Sequence, residues 1–293
     1  MSRRLGVGYG YGSDNWSVAA SWFGRELTRN LAHGAGYGLR GTWAPVNDKG
    51  NVLHFGLAHV NHDTDADTFR LRARPNADLA TVRLVDTGSM TDTDRVATTS
   101  LEAMWIRGPF KLQGEYYTSD IERLANRDYT STAGYVQGLW NITGETFGYK
   151  GGLPTTPKPD TPGSGMWQLG LRYDTIDLDD GAVEGGEMDT WTAGVNWYWR
   201  SNFKFMLNYV KVESVRGGIS DDYYCMNMLP AGAGTVGFLC HFRHYPPYSM
   251  NSVEHYAIYG FSDIGLVYQA GERDRWLHMP GRPPFIAHGS QPW

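Results

Sequence analysis

From Met166 to Val212, apolar and polar side chains alternate with period two in three successive runs. Trp167, Leu169, Leu171 and Tyr173 stand against Gln168, Gly170, Arg172 and Asp174. Trp191, Ala193, Val195, Trp197 and Trp199 stand against Thr192, Gly194, Asn196 and Tyr198, and Phe203, Phe205, Leu207 and Tyr209 against Lys204, Met206 and Asn208. Period two predicts strands whose faces meet unlike surroundings. Each apolar set starts and ends on an aromatic ring, with aliphatic or small residues between. The inner faces of a soluble sandwich are filled mainly by branched aliphatics. Aromatic-tipped runs of about ten residues belong instead to strands facing lipid, whose polar side turns to an aqueous lumen. The predicted class is therefore all-β, an antiparallel transmembrane β-barrel.

The same alternation recurs upstream. Leu5, Val7, Tyr9 and Tyr11 oppose glycines, and Trp16, Val18, Ala20 and Trp22 oppose small residues. Tyr37, Leu39 and Trp43 oppose Arg40, while Phe110, Leu112, Gly114 and Tyr116 oppose Lys111, Gln113 and Glu115. Counting these runs gives about eleven strands, with short turns alternating with longer polar loops. Asn76 to Asp94 reads as irregular, either folded into a pore as a constriction or lying outside it. The pattern fades near Glu213. Residues 1–213 are thus expected to form a barrel portion and residues 214–293 an atypical tail. In that tail Met228–Pro230, Pro246–Pro247 and Pro283–Pro284 are expected to interrupt strands, and Gly232–Leu239 and Tyr256–Tyr268 are the stretches that fit one.

Composition narrows the class further. Aromatics make up 14% and glycine 37 of 293 residues, yet mean hydropathy is −0.44. No run approaches the roughly 18 apolar residues of a membrane helix, and a barrel reconciles these facts because only alternate strand residues need be apolar. A net charge of −5 argues against nucleic acid as a partner. No apolar leader precedes the first run. For an exported protein that start leaves two expectations, that the barrel reading is wrong or that the chain is a piece of a longer precursor.

The most suggestive chemistry lies in Phe69-Arg70-Leu71-Arg72-Ala73-Arg74-Pro75. On a strand the three guanidiniums share one face, about 6.5–7 Å apart. Facing lipid, each would cost about 2–4 kcal/mol near the bilayer midplane, so the predicted face is the lumen. Guanidinium groups bind phosphate and carboxylate through paired hydrogen bonds and stay charged. Lys111, Arg40 and Arg172 stand on polar strand faces and complete the candidate anion pathway. The competing reading is that the arginines pair with acids such as Glu102, Glu115 or Asp174 and only stiffen the wall. His59, His62, Asp63, Asp65 and Asp67 read as a solvated loop rather than a metal site, and Cys225, Cys240, His241 and His244 fit a zinc pattern only loosely. No cofactor, metal or catalytic constellation is predicted, and the protein is not expected to be an enzyme.

Trp140-Asn141-Ile142-Thr143-Gly144-Glu145, Gly165 to Tyr173, Gly194 to Tyr198 and Met206 to Val210 together resemble the phosphate-selective porin O and P family. Phe69 to Pro75, Gly108-Pro109-Phe110 and Glu115-Tyr116 fit the same pattern, over about residues 1–213. The resemblance implies an incomplete portion of a sixteen-stranded, trimeric barrel of the Gram-negative outer membrane. It also implies passage of phosphate or polyphosphate along an arginine ladder matched here by Arg70, Arg72 and Arg74. The expected function is an outer-membrane porin for small anions, embedded in outer-membrane lipid as a homotrimer. Two alternatives stand beside it: a soluble or surface β-protein binding carbohydrate through exposed aromatics, and a nonfunctional truncated fragment.

Overall fold

The computed structural model describes residues 4–26, 34–64, 66–76, 83–199, 203–231, 237–245, 253–262, 265–272 and 275–276. Long strands β1 (Arg4–Gly12), β2 (Trp16–Glu26), β3 (Gly36–Asp48) and β4 (Asn51–Asp63) come first. Two short strands follow, β5 (Arg72–Ala73) and β6 (Val85–Asp86), then β7 (Thr93–Arg107), β8 (Phe110–Arg123) and β9 (Tyr129–Asn141). A second short pair, β10 (Gly148–Lys150) and β11 (Leu153–Thr155), precedes β12 (Met166–Asp180), β13 (Val183–Trp199), β14 (Phe203–Arg216) and β15 (Ile219–Ala231). The chain closes with β16 (Gly237–Tyr245), β17 (Val253–Ser262), β18 (Gly265–Glu272) and β19 (Arg275–Trp276).

Fifteen of these strands form one antiparallel sheet in chain order, and β5–β6 and β10–β11 form two separate hairpins. Neighbours in sequence are neighbours in space, as short connections dictate. The β3–β4 turn is tight enough to need positive φ at Gly50 (74°), where a Cβ is disfavoured. Among the described residues no pairing joins β1 to the far end of the sheet, so the sheet is an open portion of a barrel.

Burial along the strands is inverted relative to a water-soluble protein. Leu171 is 54% exposed, Trp191 49% and Leu101 57%, whereas Asn141 is 0%, Thr190 1% and Gln168 2% exposed. The apolar face lies open and the polar face is covered. Contiguous exposed apolar faces of this kind mark contact with something other than water. Aromatic rings gather near its two margins. Trp167 stacks on Trp197 (5.7 Å) and Trp197 on Phe205 (5.7 Å) at one margin, and Tyr173 packs on Trp191 (4.8 Å) at the other. Such paired girdles mark the membrane interfaces of a lipid-facing band.

Three expectations are corrected. The main sheet has fifteen strands rather than about eleven, because period two weakens after Glu213 while pairing continues. Met228–Pro230 does not interrupt a strand: Pro230 lies in β15 opposite Phe205, next to the strand's end, where a missing N–H costs little. Finally, Arg70, Arg72 and Arg74 do not lie on a wall strand. They belong to a long insertion between β4 and β7 that carries β5 and β6. Pro246–Pro247, Pro283–Pro284 and Asp65 lie outside the described residues.

Candidate functional site

The insertion between β4 and β7 folds back over the polar face. Its base is closed by Thr64, whose Oγ1 donates to the Thr93 carbonyl (2.6 Å), and by the Thr93 N–H donating to the Asp67 carbonyl (2.9 Å). Phe69 pairs with Met90, and Arg72 and Ala73 pair with Asp86 and Val85. Leu84 and Val85 then bury against Leu178, Met188, Val210, Val212 and Tyr223 of β12–β15, with Leu71 and Ala73 beside them. Phe69 and Leu71 also reach Val96, Ile121 and Tyr129. With Leu71 and Ala73 turned to the wall, Arg70, Arg72 and Arg74 are turned away and exposed. The shared face expected from alternation is present, but it is carried by the insertion.

These arginines differ in partners. Arg70 forks onto both carboxylate oxygens of Asp86 through Nε (2.7 Å) and Nη2. The Arg70 hydrogen bond, together with the Gly88 N–H (3.0 Å), holds the buried Asp86 carboxyl down at about 2 although burial works the other way. Arg83 joins the group: its guanidinium is shifted downward by desolvation and then by the nearby charges of Arg74, Arg72 and Arg70. Four guanidiniums and the Asp86 carboxylate thus share this part of the insertion. At its edge, Asn76 Nδ2 donates to Asp174 Oδ2 on β12 (2.9 Å).

A second insertion, between β9 and β12, covers another part of the polar face. Its entrance is the Trp140 to Glu145 motif. Asn141 Nδ2 donates to the Glu145 carbonyl (2.7 Å) while its Oδ1 accepts from Gln168 Nε2 (2.8 Å), and Gln168 Oε1 accepts from Asn196 Nδ2 (2.8 Å). These amides run across three paired strands, so the motif anchors the insertion to the wall. Phe147 buries against Val52, Met104 and Ile106. Tyr149 stands edge-on to His54, its hydroxyl 2.7 Å from Nδ1.

The remaining predicted residues sit on the wall and are engaged there. Arg40 Nη2 lies 2.6 Å from Glu102 Oε1 and 3.4 Å from the Gly152 carbonyl of the second insertion. Arg172 forks onto Asp174, bonds Gln137 Oε1 (3.2 Å) and lies 3.7 Å above the Tyr135 ring. Glu115 accepts from Tyr135 (2.5 Å), Tyr117 and Gln113 (3.2 Å). Lys111 Nζ sits 5.5 Å over Phe147. Arg40 and Arg172 are therefore the arginines that pair with wall acids, while Arg72, Arg74 and Arg83 stand on the insertion. Sequence reasoning missed the Arg70–Asp86 fork and the second insertion. Its available signals were the Asp86-Thr87-Gly88 turn and a single phenylalanine, Phe147, in a polar stretch.

Of the residues weighed as metal ligands, His59 Nδ1 contacts Thr99 Oγ1 (2.9 Å) and Asp63 Oδ2 accepts the Gly34 N–H (2.7 Å). Both serve local structure. Cys225 and Cys240 face each other in the β15–β16 register.

An open antiparallel sheet with an apolar outer face, aromatic margins and two insertions on its polar face is a portion of a porin-type β-barrel. The family model for phosphate-selective porin O and P matches residues 1–221, and the chain belongs to that family. It is 32% identical over 228 residues to an uncharacterized protein of Caulobacter vibrioides, covering 71% of this chain and 46% of that protein. It is 28% identical over 208 residues to Porin O of Pseudomonas aeruginosa, covering 61% of this chain and 48% of that protein. The chain spans about half the length of the curated relatives it matches.

Proposed function

We propose that this chain forms part of an outer-membrane porin that passes small anions, phosphate or polyphosphate among them, by diffusion. On this reading the barrel assembles as a homotrimer in outer-membrane lipid, its polar face lines the aqueous lumen and no catalytic step is involved. The observation that carries the reading is an insertion folded over the polar face with Arg72 and Arg74 exposed on one face of it, and the half-buried Arg83 near enough to feel their charge. Guanidinium groups in that arrangement offer a phosphate several paired donors and a constant positive charge. Arg70, tied to Asp86 in a neutralised pair, shapes the surface. Lys111, Arg40 and Arg172 form the rest of the pathway, the last two as neutralised pairs that guide rather than bind.

The test is current across planar bilayers. The complete barrel of which this chain forms part, purified and showing heat-modifiable migration, should conduct chloride, and added phosphate should block that current. Replacing Arg72, Arg74 and Arg83 together by alanine should weaken the block by about tenfold or more. Block of unchanged strength in the triple variant overturns the role given to these arginines.

A further inference from the structure

His54 sits where the second insertion meets the wall, and its surroundings give it two different partners. The ring is 3% exposed. Its Nδ1 faces the Tyr149 hydroxyl at 2.7 Å and its Nε2 faces Glu102 Oε1 at 3.4 Å. A carboxylate only accepts, so the neutral ring must carry its proton on Nε2 and accept at Nδ1 from Tyr149. Glu102 is already paired with Arg40 at 2.6 Å. With His54 neutral, the patch of Arg40, Glu102 and His54 therefore carries no net charge.

We propose that protonation of His54 turns this patch into a net cation beneath the second insertion and so raises anion selectivity as the medium becomes acidic. The inference rests on the pore reading above and adds a regulation to it. An added proton goes to Nδ1; the Tyr149 hydroxyl reverses from donor to acceptor, and Nε2–H keeps facing Glu102, so no contact is lost. Among the described residues, the charged and titratable groups around the ring are Arg40 from β3, Glu102 from β7 and Tyr149 from β10. Glu115 lies opposite Glu102 on β8, and Lys111 meets the same insertion through Phe147. Arg40 is 33% exposed and Glu102 22%, so the new charge acts across water-accessible groups rather than inside a sealed core. One unit charge at such range biases the local ion ratio by a factor of about three.

The experiment measures reversal potential in a potassium chloride gradient at pH 8 and at pH 5.5. Chloride is used because phosphate takes up its own protons in that range. The unmodified chain should raise its anion-to-cation permeability ratio about threefold on acidification. His54→Gln can still accept from Tyr149 and donate to Glu102 but gains no charge, so its ratio should stay flat; a retained rise overturns the proposal. Glu102→Gln supplies a second reading should the first variant fail to fold. Its unpaired Arg40 should raise the ratio already at pH 8; an unraised baseline overturns the proposal. A folded complete barrel that passes no current overturns both this inference and the pore reading. A current whose selectivity ignores pH overturns only the inference.

Discussion

Arg70 and Arg72 are two residues apart on one face, yet only Arg70 meets a carboxylate, and that difference divides their work. The fork onto Asp86 closes the β5–β6 hairpin, and its strength depends on Asp86 being ionised. Because the folded-state value, about 2, lies below the ordinary carboxylate value of 3.8, this contribution is complete above about pH 4. It is lost as the pH falls through about 2. Docking of the insertion should therefore be insensitive to pH from 8 to 5 and weaken only in strong acid. Asp86→Asn should mimic that loss at neutral pH. Hydrogen exchange in residues 69–76 and 83–90 is expected to quicken by roughly tenfold, with β8 and β9 unchanged; an unaltered rate would show that the fork does not hold the hairpin. Alternation made the shared arginine face legible in the sequence. The Asp86 partner was not legible, because two positions sixteen residues apart become neighbours only once the hairpin exists.

At the scale of elements, what could be read was the wall and what could not was everything folded over it. Trp167 to Tyr173 or Trp191 to Trp199 announce themselves because a lipid-facing strand repeats its pattern over many residues. The insertions contain strands of two or three residues, too short for any period to register. What docks them is a few apolar residues in polar surroundings, Leu84 and Val85 in one and Phe147 in the other. The alternation of Phe69 to Arg74 looked like wall for the same reason: a segment lying between packed residues and water repeats with period two wherever it sits. A single change can therefore separate insertion from wall. Val85 is fully buried, and Val85→Asp would place an unpaired carboxylate there at a cost of several kcal/mol. That variant should release the first insertion while leaving the barrel's heat-modifiable migration intact. Conductance should rise and phosphate block should fall together. A variant that lost migration as well would show the insertion to be part of the wall's own stability, contrary to the separation drawn here.

For the whole molecule the governing fact is which face meets which solvent, and one residue step decides it. Arg172 and Leu171 are adjacent on β12; the guanidinium lies among Gln137, Tyr135 and Asp174, while the leucine is 54% exposed on the apolar side. In water, replacing an exposed leucine by arginine is neutral or aids solubility. In hydrocarbon the same replacement costs about 2–4 kcal/mol near the midplane. The two solvents thus predict opposite signs for one substitution. Leu171→Arg should lower the equilibrium yield of vesicle-inserted, heat-modifiable protein by roughly 30-fold at the smaller figure. Leu171→Ala, which removes the same side chain without adding charge, should insert nearly as well as the unmodified chain. The pair separates the charge from the lost leucine. If Leu171→Arg inserted normally, or made the chain soluble without detergent, the apolar face would not be facing lipid. The polar face would then have no claim to line a pore, and the arginines folded over it would need another explanation.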